Sequence, residues 1–239
     1  MSSGRSVGEA LERLDAITRR LRLECPWDRE QDERSIVPHT VEEAYELADA
    51  AGRGDDPKLL DELGDVLFQV SFLALLMEER GAGDLAAVAE QCSQKLIRRH
   101  PHVFGEEEAG SEAALAHPSP RTAGEVLRNW DQIKSSEAGR EPGLFGEVPE
   151  NLPGLLYARK VQRRAASGGF DFPDARGAME KAHEEVGELA ELVAEGGRDQ
   201  RFHEVGDALF ALVAVARKLH IDPELALRAA ADRFRARFG

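Results

Sequence analysis

The sequence predicts an all-α protein made of two similar helical modules joined by an irregular linker. Three observations lead there. Apolar residues recur at steps of three and four along most of the chain, the mark of helices with one buried stripe. The alternation of apolar and polar residues that marks strands is scarce. One run also occurs twice. Val41-Glu42-Glu43-Ala44-Tyr45-Glu46 precedes Asp61-Glu62-Leu63-Gly64-Asp65, and His183-Glu184-Glu185-Val186-Gly187-Glu188 precedes His203-Glu204-Val205-Gly206-Asp207. All five acids of the first set have a counterpart 142 positions later (184 − 42, and likewise for the rest), which marks an internal duplication.

Taken in order, Val7 to Glu24 carries Val7, Ala10, Leu11, Leu14, Ile17 and Leu21 on one stripe. Cys25-Pro26-Trp27-Asp28 ends that helix, because proline lacks an N–H and restrains the residue before it. A second helix is expected from about Thr40, with Val41, Ala44, Tyr45 and Ala48 inward. After the turn Gly52-Arg53-Gly54-Asp55, a long helix runs from Pro57 to about Arg80, with Leu59, Leu63, Val66, Leu67, Val70, Leu73 and Met77 towards the core. So short a loop makes these two helices antiparallel neighbours. Leu85 to Arg99 closes the module at residues 1–100. Residues 101–152 read as the linker, with a short helix between Thr122 and Glu137. The second module, 153–239, repeats the plan with helices near 155–166, 174–195, 199–220 and 223–238.

Composition narrows the function classes. With 45 acidic and 31 basic residues the formal charge is −14, which argues against a nucleic-acid polymer as partner but leaves room for a nucleotide held through a metal. Cys25 and Cys92 form no ligand spacing and read as free thiols. No apolar run reaches the roughly 20 residues a membrane helix requires, and the first residues lack a signal-peptide core. A soluble, cytoplasmic protein is expected.

The repeated acids carry the chemistry. Helical positions four apart lie about 40° apart and positions three apart about 60°, so Glu42 with Glu46, and Glu62 with Asp65, share faces, and Glu43 approaches from the flank. Antiparallel packing then points both acidic pairs into one seam. Carboxylates about 5 Å apart repel by roughly 3 kcal/mol at an effective dielectric near 20, so protonation or cations must relieve them. All-oxygen ligands select Mg²⁺ or Mn²⁺ over zinc. Di-iron bundles use paired Glu-x-x-His, and no acid here has histidine three residues on.

VEEAYEL with ELGDVLFQV, ECPWDREQ upstream, and KLIRRHPHVFG and NWDQIK downstream, closely resembles the MazG nucleoside triphosphate pyrophosphohydrolases of the all-α NTP pyrophosphatase superfamily. The resemblance implies tandem four-helix modules, usually a homodimer, that hydrolyse nucleoside triphosphates to monophosphate and pyrophosphate with Mg²⁺. By that resemblance Glu42, Glu43, Glu46, Glu62 and Asp65 match the metal-binding acids of the first module, and Glu184, Glu185, Glu188, Glu204 and Asp207 those of the second. One first-helix glutamate, Glu43 or Glu185 by preference, is expected to orient or deprotonate the attacking water.

Lys95, Arg98 and Arg99 place three donors on one helix face suited to phosphates, while Trp130 and Lys134, four apart, offer a ring for base stacking beside a cation. Trp27 and Asp28 fold their loop or line the pocket. Arg233 and Arg237 are the basic candidates of the second module. The family pattern there continues past residue 239 into a further tryptophan and lysine, so the first module is expected to carry at least as much activity as the second. The competing reading is a catalytically weak regulatory module that binds nucleotides. Substrates in view are ordinary, damaged or signalling nucleotides.

Overall fold

The structure, a computed structural model, describes residues 6–109 and 151–238 together with 120, 122, 124–126, 129, 130, 133, 143, 145, 148 and 149. Among these residues every regular element is helical. The chain divides into two compact units, Met1–Ser111 and Glu112–Gly239.

In the first unit α1 spans Val7–Glu24, α2 Pro26–Glu30, α3 Glu33–Arg53, α4 Asp56–Glu79, α5 Leu85–Arg99 and α6 Pro101–Ala109. Ser6 caps α1 through a reciprocal box with Glu9. The Cys25-Pro26 break is followed at once by a one-turn helix, since proline at the first helical position surrenders a donor that has no partner there anyway. The helix α3 begins at Glu33, seven residues before the expected start. Asp32 caps it by accepting from the Ser35 N–H, and this cap together with burial of Ile36 in the core offsets the hydrogen bond lost at the internal Pro38. Gly54, at φ 67°, adopts the left-handed conformation that closes α3 and turns the chain into α4. The segment after Pro101, read from sequence as loop, is helical up to a break at Gly105 (φ 74°).

The antiparallel pair α3 and α4 forms the heart of the unit, with α1 laid against α4. Arg19 donates to Glu78 and Arg22 donates to both oxygens of Glu79 (2.8 and 2.9 Å), pinning α1 to the end of α4. The core consists of Ile36, Phe72 and Leu76, with Phe68 and Leu73 against it. The expected inward stripe of α4 is therefore rotated. Leu63, Leu67 and Val70 are exposed, whereas Glu62, Gln69, Phe72 and Leu76 face inward. The helix is apolar on more than one side, so periodicity alone does not select the face that α3 covers.

The second unit contains α7 (Gly154–Ser167), α8 (Ala175–Glu195), α9 (Arg198–Lys218) and α10 (Pro223–Arg235), and residues 124–126, 129, 130 and 133 are also helical. Its central pair is α8 and α9, with α7 packed on α9. The core uses the same register with smaller side chains: Ala178 stands where the first unit has Ile36, and Ala214 where it has Phe72. Buried Gln162 donates to the Phe210 carbonyl at 2.7 Å, and Arg217 and Lys218 both donate to Asp171.

Candidate functional site

Each central helix pair brings three carboxylates together. Oxygens of Glu43, Glu46 and Glu62 lie within 4.8 Å of one another, and those of Glu185, Glu188 and Glu204 do the same. The positions follow from the cores. On α3 the inward line runs from Ile36 through Glu43 to Ala50, and on α4 from Glu62 to Gln69 and Phe72. Glu43 thus occupies the seam and Glu46 stands beside it. Glu42, expected to share the face of Glu46, turns outward and pairs with His39 at 3.3 Å. In the second unit Glu184 is likewise exposed and pairs with Lys181 at 2.8 Å, while Glu185 lies buried in the seam. One residue of rotation separates the expected arrangement from the observed one, because the core places the second glutamate of each pair inward. Asp65 and Asp207 are exposed and stand outside the two triads. Asp65 is still close enough for its charge to act on Glu43.

The electrostatics would be relieved by a cation. Glu62 is 1% exposed and its Oε2 has no hydrogen-bond partner, and the same holds for the buried Oε2 of Glu204. A buried acceptor left unsatisfied is costly, most of all on a carboxylate. Burial, followed by the charges of Asp65, Glu46 and Glu62, raises the pKa of Glu43. The charge of Glu185 first, then burial and Glu204, raises that of Glu188. Each cluster contains one ammonium, and the two come from opposite helices. Lys58 of α4 pairs with Glu62 in the first unit, and Lys181 of α8 pairs with Glu185 at 2.6 Å in the second. At the matched positions stand Gln200 and His39. A lysine partner for the buried acid carried no sequence signal of its own beyond its four-residue spacing. A concavity of about 650 Å³ opens beside Lys58, Asp61, Gly64 and Asp65.

The remaining sequence candidates fall as follows. Lys95 and Arg98 are half-buried on α5, and Arg99 is buried at its end. Trp27 meets the His39 ring edge-on at 5.9 Å, and Asp28 is buried. Trp130 lines a cavity with α7 in the second unit. Arg233 and Arg237 are exposed around the end of α10. Lys134 lies outside the described residues.

An all-α chain with duplicated helix pairs, each closing on a triad of part-buried glutamates, defines a tandem carboxylate-site protein. The profile of the MazG nucleotide pyrophosphohydrolase domain matches residues 31–104 and again 174–238. The chain is 39% identical over 235 residues to the nucleoside triphosphate pyrophosphohydrolase of Escherichia coli K12, covering 95% of this chain and 85% of that protein. It is 40% identical over 237 residues to the nucleoside triphosphate pyrophosphohydrolase/pyrophosphatase MazG of Thermotoga maritima, covering 98% and 86%. Among solved structures, a mazG-related protein from Thermotoga maritima aligns with a TM-score of 0.41 at 24% identity, over 52% of this chain and 97% of that one. The chain belongs to the MazG family of nucleotide pyrophosphohydrolases.

Proposed function

We propose that the protein is a Mg²⁺-dependent nucleoside triphosphate pyrophosphohydrolase, converting a triphosphate and water into a monophosphate and pyrophosphate. The observation that carries this reading is the buried, unpartnered carboxylate oxygen in each triad, on Glu62 and Glu204, within a donor set made only of oxygens. Hard divalent ions, Mg²⁺ or Mn²⁺, fit such donors, and they bind substrate phosphates through the positions the protein leaves open. When bound, the ions supply charge neutralisation and polarise the phosphoryl group. Glu43, Glu46 and Glu62 would hold them in the first unit and Glu185, Glu188 and Glu204 in the second, with Asp65 and Asp207 at the margins and Glu42 and Glu184 outermost.

Glu43 and Glu185 are the preferred groups to orient or deprotonate the attacking water. A raised pKa at Glu43 suits a base that must hold the proton it takes. Water oxygen bonds to the α-phosphorus, the bridge between α- and β-phosphates breaks, and pyrophosphate leaves with the electron pair. Lys58 and Lys181 stand ready to exchange carboxylate for phosphate oxygen, and Lys95, Arg98, Arg99, Arg233 and Arg237 are the outer phosphate donors. Damaged or signalling nucleotides are the house-cleaning substrates in view.

A homodimer is part of the same reading. Leu60, Leu63, Leu67 and Val70 form an exposed apolar stripe on α4, and Phe202, Val205, Leu209 and Leu212 repeat it on α9 at the same offset. Exposed stripes of this kind mark association surfaces. No helix among the described residues is long and apolar enough to cross a membrane, and a cytoplasmic location fits the two free cysteines. The deciding experiment incubates the protein with mixed triphosphates and Mg²⁺ and assays pyrophosphate and orthophosphate separately. Pyrophosphate release supports the proposal, and tight binding without product overturns it.

A further inference from the structure

We infer that Lys58 is a displaceable counter-ion of the first triad: it neutralises Glu62 until a divalent ion takes over that charge, and is then held by Asp61. The inference deepens the cation reading of the triads and rests on it. Lys58, Asp61 and Glu62 share one stretch of α4, at the three- and four-residue steps that bring helical side chains together. The ammonium pairs with Glu62 and lies 3.6 Å from Asp61. The two partners differ in their surroundings. Glu62 is 1% exposed and has an oxygen without a hydrogen-bond partner, whereas the Asp61 side chain is 69% exposed and lines, with Lys58, the concavity of about 650 Å³. Asp61 belongs to neither set of five repeated acids.

The buried partner takes the ammonium first, because an unpaired charge is costliest away from water. The same burial makes that position untenable beside a second cation, since an ammonium and a divalent ion on one carboxylate repel each other with little water between them. Lysine can yield: its charge rides on a flexible four-carbon stem, and 47% of the Lys58 side chain is exposed. Asp61 lies within reach of a turn about the end of that stem, so the displaced charge keeps a partner. The second unit contains the same arrangement, reached from the other helix of its pair. Lys181 pairs with exposed Glu184 at 2.8 Å and with buried Glu185 at 2.6 Å, again at steps of three and four. Duplication did not copy it, because 142 positions from Lys58 and Asp61 stand Gln200 and His203, and 142 before Lys181 stands His39. A lysine shared between an exposed acid and the buried acid that follows it has therefore arisen at each triad separately. By the same logic Glu184 receives Lys181.

The test reads Mn²⁺ binding to the full chain, without nucleotide, from the electron paramagnetic resonance of the free ion. A Glu185→Gln/Glu204→Gln parent confines that binding to the first triad. Lys58→Met is expected to tighten Mn²⁺ binding roughly tenfold by removing the competitor. Asp61→Asn is expected to weaken it about threefold by stranding the displaced ammonium, and to lose most of that effect when Lys58 is already methionine. In scanning fluorimetry Lys58→Met is expected to melt below its parent in EDTA and level with it in saturating Mn²⁺. Unaltered or weaker Mn²⁺ binding in Lys58→Met overturns the proposal. Equal losses from Asp61→Asn with and without Lys58 also overturn it, because they make Asp61 a distant attractor of the ion. A melting temperature lowered equally in EDTA and in Mn²⁺ does the same, since it assigns Lys58 to the fold alone. If the parent binds no Mn²⁺ the cation reading falls and takes this proposal with it, whereas binding by the parent without a change in Lys58→Met refutes the displacement only.

Discussion

Glu62→Gln is expected to make the metal-free protein more stable and to remove its response to metal. Glu62 is 1% exposed, and its oxygens lie within 4.8 Å of oxygens from Glu43 and Glu46. At an effective dielectric near 20, each such pair repels by roughly 3 kcal/mol when both groups are ionised. The substitution abolishes two of these repulsions and the attraction to Lys58, whose ammonium is open to solvent and screened by it. About 1–3 kcal/mol remains in favour of the variant. The glutamine amide can also donate to the neighbouring carboxylates, so the change leaves no new orphan donor. For a unit of this size, at roughly 4 °C per kcal/mol, that difference corresponds to a melting temperature raised by roughly 4–12 °C. Differential scanning fluorimetry of the intact chain, in EDTA and then in Mn²⁺, reads both effects. Wild type gains about 3 kcal/mol when the free ion is near a hundred times its dissociation constant, and the variant gains little in its first unit. A variant that melts below wild type in EDTA, yet responds fully to Mn²⁺, would falsify the view that the buried acids wait for a cation.

The joint substitution Glu43→Gln/Glu185→Gln is expected to abolish Mg²⁺-dependent pyrophosphate release; full retained activity in the phosphate assay sinks the proposed base. Compared singly, Glu43→Gln is expected to lose at least as much turnover as Glu185→Gln, and unchanged turnover in the former reverses the ranking of the two sites. Acid titration of stability, followed by circular dichroism, concerns Asp171 and Glu79. Burial works to raise Asp171, but hydrogen bonds from Arg217 and Lys218 outweigh it and hold the pKa below its ordinary value. The hydrogen bonds from Arg22 lower Glu79. Since both folded pKa values are depressed, the stability they contribute is full above the unfolded values, about 3.9 for Asp and 4.3 for Glu, and is lost as pH falls through the folded ones. Asp171→Asn is expected to flatten that loss, and an unaltered acid limb refutes the assignment. Gln162→Leu is expected to destabilise by about 0.5–1.5 kcal/mol, because it removes the side-chain bond that ties α7 to the Phe210 carbonyl of α9; a denaturant midpoint equal to wild type contradicts this.

What was legible in the sequence depended on how local the cause is. Helix starts set by Ser6, Asp84 and Asp174 are readable because each cap is a side chain bonding within three residues, whereas Asp56-Pro57 reads as cap and first helical residue and the cap of α4 is in fact Asp55, one residue earlier. The early start of α3 is set by the Asp32–Ser35 box three turns before the acids, a local signal lying ahead of the apolar stripe from which the start near Thr40 is read. The inward face of α4 was less accessible. Leu60, Leu63, Leu67 and Val70 compete with Phe72 and Leu76 for the core, and only contact with α3 decides. The same tertiary choice turned Glu43 inward and Glu42 outward, a difference of one residue that no spacing argument resolves. Trp130 shows the limit on longer-range inference: nothing in its distance along the chain from Arg159 and Lys160 signals that it shares a cavity with α7.

The two halves keep what the acids require and vary what surrounds them. Ile36 and Phe72 give way to Ala178 and Ala214, so side-chain volume at the seam is not what holds the triads in register. The helix pair, its register and the carboxylates persist through that exchange. The ammonium partner does not: it sits on the second helix of the first pair and on the first helix of the second. A salt bridge maintained for fold stability has no reason to keep its charge type while changing helices. A cluster that must be neutralised whenever no divalent ion is present has such a reason, because any ammonium within reach of the buried oxygen serves. Lys58 and Lys181 are therefore best understood as two independent solutions to one electrostatic demand, the demand that the proposed cation would meet in their place.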